Sequence, residues 1–127
     1  MAAAKGLRLR HVASNRTIRT DRRLMERILA NLVANAIRYT DQGGVVIGVR
    51  SHAGRSWIEV WDSGIGIKPD DLAVIFDEFH QLDNPVRGNA GGSGLGLAIV
   101  DRSSRTLGLP LRVASHPGKG SMFAIGI

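Results

Sequence analysis

Asn31-Leu32-Val33-Ala34-Asn35-Ala36-Ile37-Arg38-Tyr39-Thr40 is the stretch on which the fold turns. It closes a longer run, Arg22 to Tyr39, in which Leu24, Ile28, Leu32 and Ala36 recur at i+4 with Met25, Leu29 and Ile37 beside them. Residues three and four apart are neighbours on a helix, so the run predicts one amphipathic helix with a wide apolar face. Asp21 stands ahead of it as an N-cap or first-turn acid, and Thr40-Asp41-Gln42-Gly43-Gly44 ends it with turn chemistry. The same spacing gathers Arg27, Asn31, Asn35 and Arg38 into one narrow stripe between the apolar flanks. Amide oxygens can ligate Mg2+, a hard cation, and Arg38 one turn on can meet a phosphate. The helix alone leaves the plainer alternative open, two asparagines on a solvated edge.

On either side of this helix the pattern changes period. Leu7-Arg8-Leu9-Arg10-His11-Val12 alternates apolar and polar residues, as a half-buried strand does. Val45 to Ser51 and Ser56 to Trp61 read as two strands of a hairpin joined at Ala53-Gly54. Lys68-Pro69-Asp70-Asp71-Leu72 starts a short helix with proline in its first turn. Asp83 to Gly92 is polar, glycine-bearing and without periodicity, the reading for a mobile loop. Leu95 to Leu107 forms a last helix stopped by Gly108, and Leu111–Ser115 and Met122–Ile127 close the chain as strands around a glycine-bearing turn. Strands and helices alternate without strict βαβ regularity, which favours an α/β two-layer sandwich.

With 127 residues the chain fits one domain, 1–127, with enough length for a real core. No stretch approaches a membrane span, and the N-terminus carries no apolar export signal. There is no cysteine, which excludes disulfides and a cysteine-based zinc site, and makes a cytoplasmic setting the default. The net charge of +6 invites a nucleic-acid reading, but the basic residues are scattered outside the first quarter. Two tryptophans, one tyrosine and three phenylalanines are too few for a stacking platform. A basic balance suits an anionic nucleotide or an acidic partner as well.

Two further constellations carry chemistry. Ile58, Val60 and Asp62 share one face of their strand, and Trp57, Glu59 and Trp61 the other. With the aliphatic face inward, Asp62 emerges at the strand end toward the core layer, where a carboxylate needs donors. An adenine amino group is one, and Gly64 and Gly66 would let a flat base approach the backbone. An ordinary Asp-Ser-Gly turn is the competing reading. Gly91-Gly92-Ser93-Gly94-Leu95-Gly96-Leu97 opens the last helix, where free N–H groups bind phosphate, although a lone glycine cluster also reads as a hinge. It is not a Walker A loop. The two tryptophans, turned away from the pocket, fit partial cover of the sheet or a contact for a neighbouring domain.

These three segments, in this order, resemble the catalytic ATP-binding domain of sensor histidine kinases, in the superfamily shared with gyrase B, Hsp90 and MutL. Asp21 through Thr40 looks like the N box, Asp62–Ile67 the G1 box, Ile75–Phe79 the F box, and Gly92–Val100 the G2 box. Gly118-Lys119-Gly120-Ser121-Met122-Phe123 resembles the last glycine motif. The resemblance implies a Bergerat-type fold, a mixed sheet with helices on one face, and ATP with Mg2+ as ligands. It implies Asn35 as the Mg2+ ligand with Asn31 beside it, and Arg38 and Tyr39 near phosphates and sugar. Asp62 would hold the adenine amino group with Gly64, Gly66 and Ile67 around the base, and Ser121 would join through water. A lid over roughly His80 to Ser93 would bring Arg87 to the phosphates, and amides of Gly92, Gly94, Leu95, Gly96 and Leu97 would cradle them.

Relatives that hydrolyse ATP place a glutamate where Asn31 stands, and an amide cannot act as a general base. The resemblance therefore implies a kinase that hands the γ-phosphoryl to a histidine on a helical-hairpin dimerisation domain, with a response regulator downstream. None of His11, His52, His80 and His116 lies in a phosphoacceptor motif on a long helix, so the acceptor is expected elsewhere in a longer kinase of which this chain is a fragment. Its ending in a strand at Ile127 fits that expectation. No nucleic acid and no direct membrane contact are expected. A nucleotide-binding regulatory module without catalysis, or a serine protein kinase of the anti-sigma-factor type, are the alternatives.

Overall fold

The computed structural model describes residues 8–11, 18–76 and 96–127. Strand β1 (Arg8–His11) is followed by helix α1 (Arg22–Arg38), strands β2 (Gly44–His52) and β3 (Arg55–Asp62), and a single helical turn α2 (Pro69–Leu72). Helix α3 (Gly96–Leu107) and strands β4 (Leu111–His116) and β5 (Gly120–Gly126) complete the order. The strands form one sheet, β1-β2-β3-β5-β4, in which β1 runs parallel to β2 and every other neighbouring pair is antiparallel. The architecture is the α+β sandwich with a mixed sheet that the sequence implied.

Helix α1 begins where Asp21 accepts the Leu24 N–H at 3.1 Å, satisfying one of the donors a helix N-terminus leaves open. Its buried stripe is Met25, Ile28, Leu32, Ala36 and Ile37. Leu24 is only half-buried, so the buried i+4 ladder runs from Ile28, with Met25 three residues before it in place of Leu24. The helix ends at Arg38, and the fully buried Thr40 donates from Oγ1 to the Ala36 carbonyl at 2.7 Å. The β2–β3 hairpin closes on two residues, Ala53 and Gly54, both with positive φ (53° and 77°), the geometry whose twist matches antiparallel strands. At the end of α3, Leu109 N–H reaches Ser104 O at 2.9 Å and Gly108 N–H reaches Arg105 O at 3.1 Å, a Schellman stop that uses the positive φ of Gly108.

The two faces of the sheet are covered differently. On the inner face Val45, Val60, Phe123 and Ile125 pack against Ile28, Leu32 and Val100 of the helices. On the outer face Trp57, Met122 and Ala124 form a separate small cluster. Arg112 lays its guanidinium over the Trp57 ring, 4.9 Å from the centroid, and Trp57 Nε1 donates to His52 O at 3.3 Å. Trp57 is thus cover within the sheet. Trp61 on the same face stays 42% exposed, so the two indoles that period-2 alternation pairs have different fates. No helix among the described residues is long and apolar enough to cross a membrane.

Candidate functional site

The site assembles where the end of β3 meets the end of α1 and the turn between β4 and β5. Asp62, the last residue of β3, pairs with Val45 on one side and Ser121 on the other. Its Oδ1 accepts the Gly64 N–H at 2.9 Å, and the Ser121 backbone N–H is a second donor. Burial pushes the carboxyl above its ordinary 3.8, and the two N–H groups work against that rise.

The loop after Asp62 is threaded between two walls. Ile65 N–H reaches Tyr39 O at 3.1 Å, Gly118 N–H reaches Ile65 O at 2.7 Å, and Ile67 N–H reaches Ser115 Oγ at 2.7 Å. Any side chain at Gly64 would run into the Tyr39 carbonyl and, at 2.8 Å, Thr40 Oγ1. Gly66, at φ +74°, would collide with His116 O. Glycine at these two places is therefore what lets the loop lie against the helix end and the turn.

An open cavity lies beside this loop. From α1 it is lined by Asn35, Arg38 and Tyr39, and from the β3 end by Asp62, Gly66 and Ile67. Gly96 and Leu97 at the start of α3, and Ser121 of β5, complete the residues expected from the sequence. Arg38 sits 5.8 Å from the Tyr39 ring centroid, a cation–π distance.

Two expected residues are close but not in the wall. Gly64 lies behind Asp62, its N–H committed to that carboxylate. Asn31 turns its amide back on its own helix, Nδ2 donating to Arg27 O at 2.9 Å, and its Oδ1 faces Gly96, where an added Cβ would be 3.1 Å away. Arg87, Gly92, Gly94 and Leu95 lie outside the described residues, as do the expected lid and His80.

Two lining residues were not among those expected, Ile75 and Phe123. Both are buried at 3% exposure, and Phe123 takes an edge-to-face contact from Phe76 at 6.4 Å and 82°. The signal for Phe123 was present: strand alternation from Ser121 puts it on the same face. Among the described residues no cluster of three or more His, Cys, Asp or Glu could hold a metal by itself. A metal here would need the ligand's own oxygens beside the Asn35 amide, the way Mg2+ usually sits on phosphates.

A two-layer α+β sandwich with a cleft between a helix end, a strand-end carboxylate and a helix start defines the class. The chain belongs to the histidine kinase-, DNA gyrase B-, and HSP90-like ATPase family, whose profile matches residues 20–127. It is 37% identical over 103 residues to the sensor histidine kinase RcsC of Escherichia coli K12, covering 81% of this chain and 11% of RcsC. It is 41% identical over 110 residues to the aerobic respiration control sensor protein ArcB of the same strain, covering 85% of this chain and 14% of ArcB. Among solved structures, full-length ShkA in complex with AMPPNP superposes with a TM-score of 0.81 at 33% identity, over 98% of this chain and 26% of that one. The mycobacterial sensor histidine kinase MprB shares the fold at TM-score 0.79 and 24% identity, over 99% of this chain and 85% of that one. The chain spans about a tenth of RcsC and about a seventh of ArcB.

Proposed function

We propose that this chain, residues 1–127, is the ATP-binding catalytic domain of a cytoplasmic part of a two-component sensor kinase. It binds Mg-ATP in the cleft and passes the γ-phosphoryl to a histidine on a helical-hairpin domain of its parent, from which a response regulator receives it. The reading rests on one observation. Among the described residues that line the cavity, Asp62 is the sole carboxylate, and its oxygens are held by backbone N–H groups at the strand end. The α1 side, where phosphates would lie against Arg38, offers amides in place of a general base. Such a site positions and neutralises a phosphoryl group and leaves activation of the acceptor to another domain.

In this reading Asp62 accepts from the adenine amino group and Ser121 joins it, with Gly66 and Ile67 against the base. Tyr39 lies by the sugar, and Arg38 and the amides of Gly96 and Leu97 face the phosphates. Asn35 holds Mg2+, which neutralises phosphate charge when bound with ATP. The family resemblance assigns Arg87, Gly92, Gly94 and Leu95 to the phosphates as well, and these four lie outside the described residues. ShkA, solved with AMPPNP, supports a triphosphate in this fold.

The test is direct. Calorimetry should show ATP binding strengthened by Mg2+, and labelled ATP should place phosphate on the parent's hairpin domain and none on this chain. Absence of ATP and ADP binding defeats the assignment. Asn31→Glu should raise hydrolysis to water, because it restores a base where the amide stands; an unchanged rate removes that support.

A further inference from the structure

Ser115 lies on β4 outside the cavity, yet three contacts meet on its hydroxyl. Its Oγ accepts the Ile67 N–H at 2.7 Å, lies 3.0 Å from the Gly120 carbonyl, and lies 2.8 Å from Ser121 Oγ. A serine hydroxyl has one hydrogen and two lone pairs, and a carbonyl can only accept. All three contacts are satisfied in one arrangement alone. Ser115 gives its hydrogen to Gly120, and Ser121 gives its hydrogen to Ser115. The reverse assignment would set two oxygens with lone pairs facing each other at 3.0 Å.

The consequence falls on Ser121, which lines the cavity and is strand partner to Asp62. With its hydrogen turned back to Ser115, Ser121 has lone pairs alone to offer a ligand. Asp62 in its ionised form also only accepts. The two together make an edge that welcomes a ligand N–H and repels a ligand carbonyl.

We infer that Ser115 is a positioning residue that fixes the polarity of the base end of the cleft, so that it selects a 6-aminopurine nucleotide over one that presents only an oxygen acceptor at position 6. This rests on the ATP reading above and adds to it a residue that touches no ligand.

The experiment compares ATP with the triphosphate of 6-methoxypurine riboside, which carries an oxygen in place of the amino group and, like adenine, no hydrogen on N1, by calorimetry on the full chain. Wild type should favour ATP by about 30-fold, since an acceptor facing acceptors leaves buried groups unpaired. In Ser115→Ala the Ser121 hydroxyl is released to turn its hydrogen toward the 6-oxygen, and the ratio should fall to about threefold, mainly through better binding of the 6-methoxy analogue. Ser115→Thr keeps the hydroxyl and should restore the wild-type ratio. A role confined to holding the loop would weaken both nucleotides alike, so an unchanged ratio in Ser115→Ala overturns the inference. Should that variant not fold by circular dichroism, Ser115→Cys, close in size and a poor donor, must show the same compression, and an unchanged ratio there is equally fatal. Wild type that binds neither nucleotide defeats the ATP reading and this inference together; ATP binding with an unmoved ratio defeats this inference alone.

Discussion

Strand β3 carries two partly or fully buried acids three residues apart, on opposite faces, and they are used in opposite ways. Glu59 points to the outer face at 4% exposure, where its Oε1 accepts from Trp61 Nε1 at 3.0 Å and lies 3.8 Å from Arg50 Nε. Asp62 turns to the inner side, where backbone N–H groups of Gly64 and Ser121 hold it at the wall of the cavity. Side chains close around the first. The second is fixed by main chain, which leaves side-chain space in front of it for a ligand. A carboxylate held by fixed backbone donors is preorganised, and one held by an exposed arginine and a half-exposed indole is not.

The face that carries the helices should also carry the stability. Leu32→Ala empties a site that is 1% exposed under the sheet and should cost about 3 kcal/mol in chemical denaturation. A cost below about 1 kcal/mol would mean that α1 is not the keystone of the inner layer. The sharper contrast lies between the acids. Asp62→Asn should weaken ATP binding about 100-fold while leaving the fold intact, because the remaining oxygen can stay with the Gly64 N–H while an NH2 donor replaces the acceptor that faces the ligand. Glu59→Ala should do the reverse, costing about 1–2 kcal/mol of stability with ATP affinity unchanged within about twofold. Similar affinity losses in both variants would erase the distinction between the faces.

How far this contrast was legible in the sequence depends on the range of the contacts involved. Alternation along Ile58, Val60 and Asp62 gave the direction of Asp62, because strand periodicity is local. The helix period of Ile28, Leu32 and Ala36, the Asp21 cap and the Ala53-Gly54 turn were legible for the same reason. The placement of β5 between β3 and β4 was not, since no pattern along a strand names its neighbours. Ser115 was invisible on like grounds: its partner Ile67 is 48 residues away, and a serine in a strand carries no mark of what it meets. The burial of Trp57 depended on Arg112 from another strand reaching across the sheet, a contact that alternation alone cannot supply. Asn31 and Asn35 looked equivalent on the helix wheel; the structure separates them, with Asn35 in the cavity wall and Asn31 turned to the Arg27 carbonyl and Gly96.

The smallest expected effect comes from titration. Burial raises the Asp62 carboxyl in the folded chain above 3.8, so as pH climbs past 3.8 the unfolded chain releases this proton first. Over that window the native state holds more protons than the unfolded state, and stability falls with rising pH until the folded carboxyl has also ionised. Asp62→Asn has no such proton. Urea midpoints of both proteins, taken from pH 3 to 7, should therefore diverge, the wild type losing ground to the variant as pH rises from about 3.8 and the gap then levelling. The other carboxylates are common to both proteins and cancel in the difference. A gap of the opposite sign would mean that the Gly64 and Ser121 N–H groups outweigh desolvation, so that the ionised carboxylate stabilises the fold. Asp62 would then be a structural anchor of the strand end like Glu59 on the other face, and the division of labour between the two acids would fail.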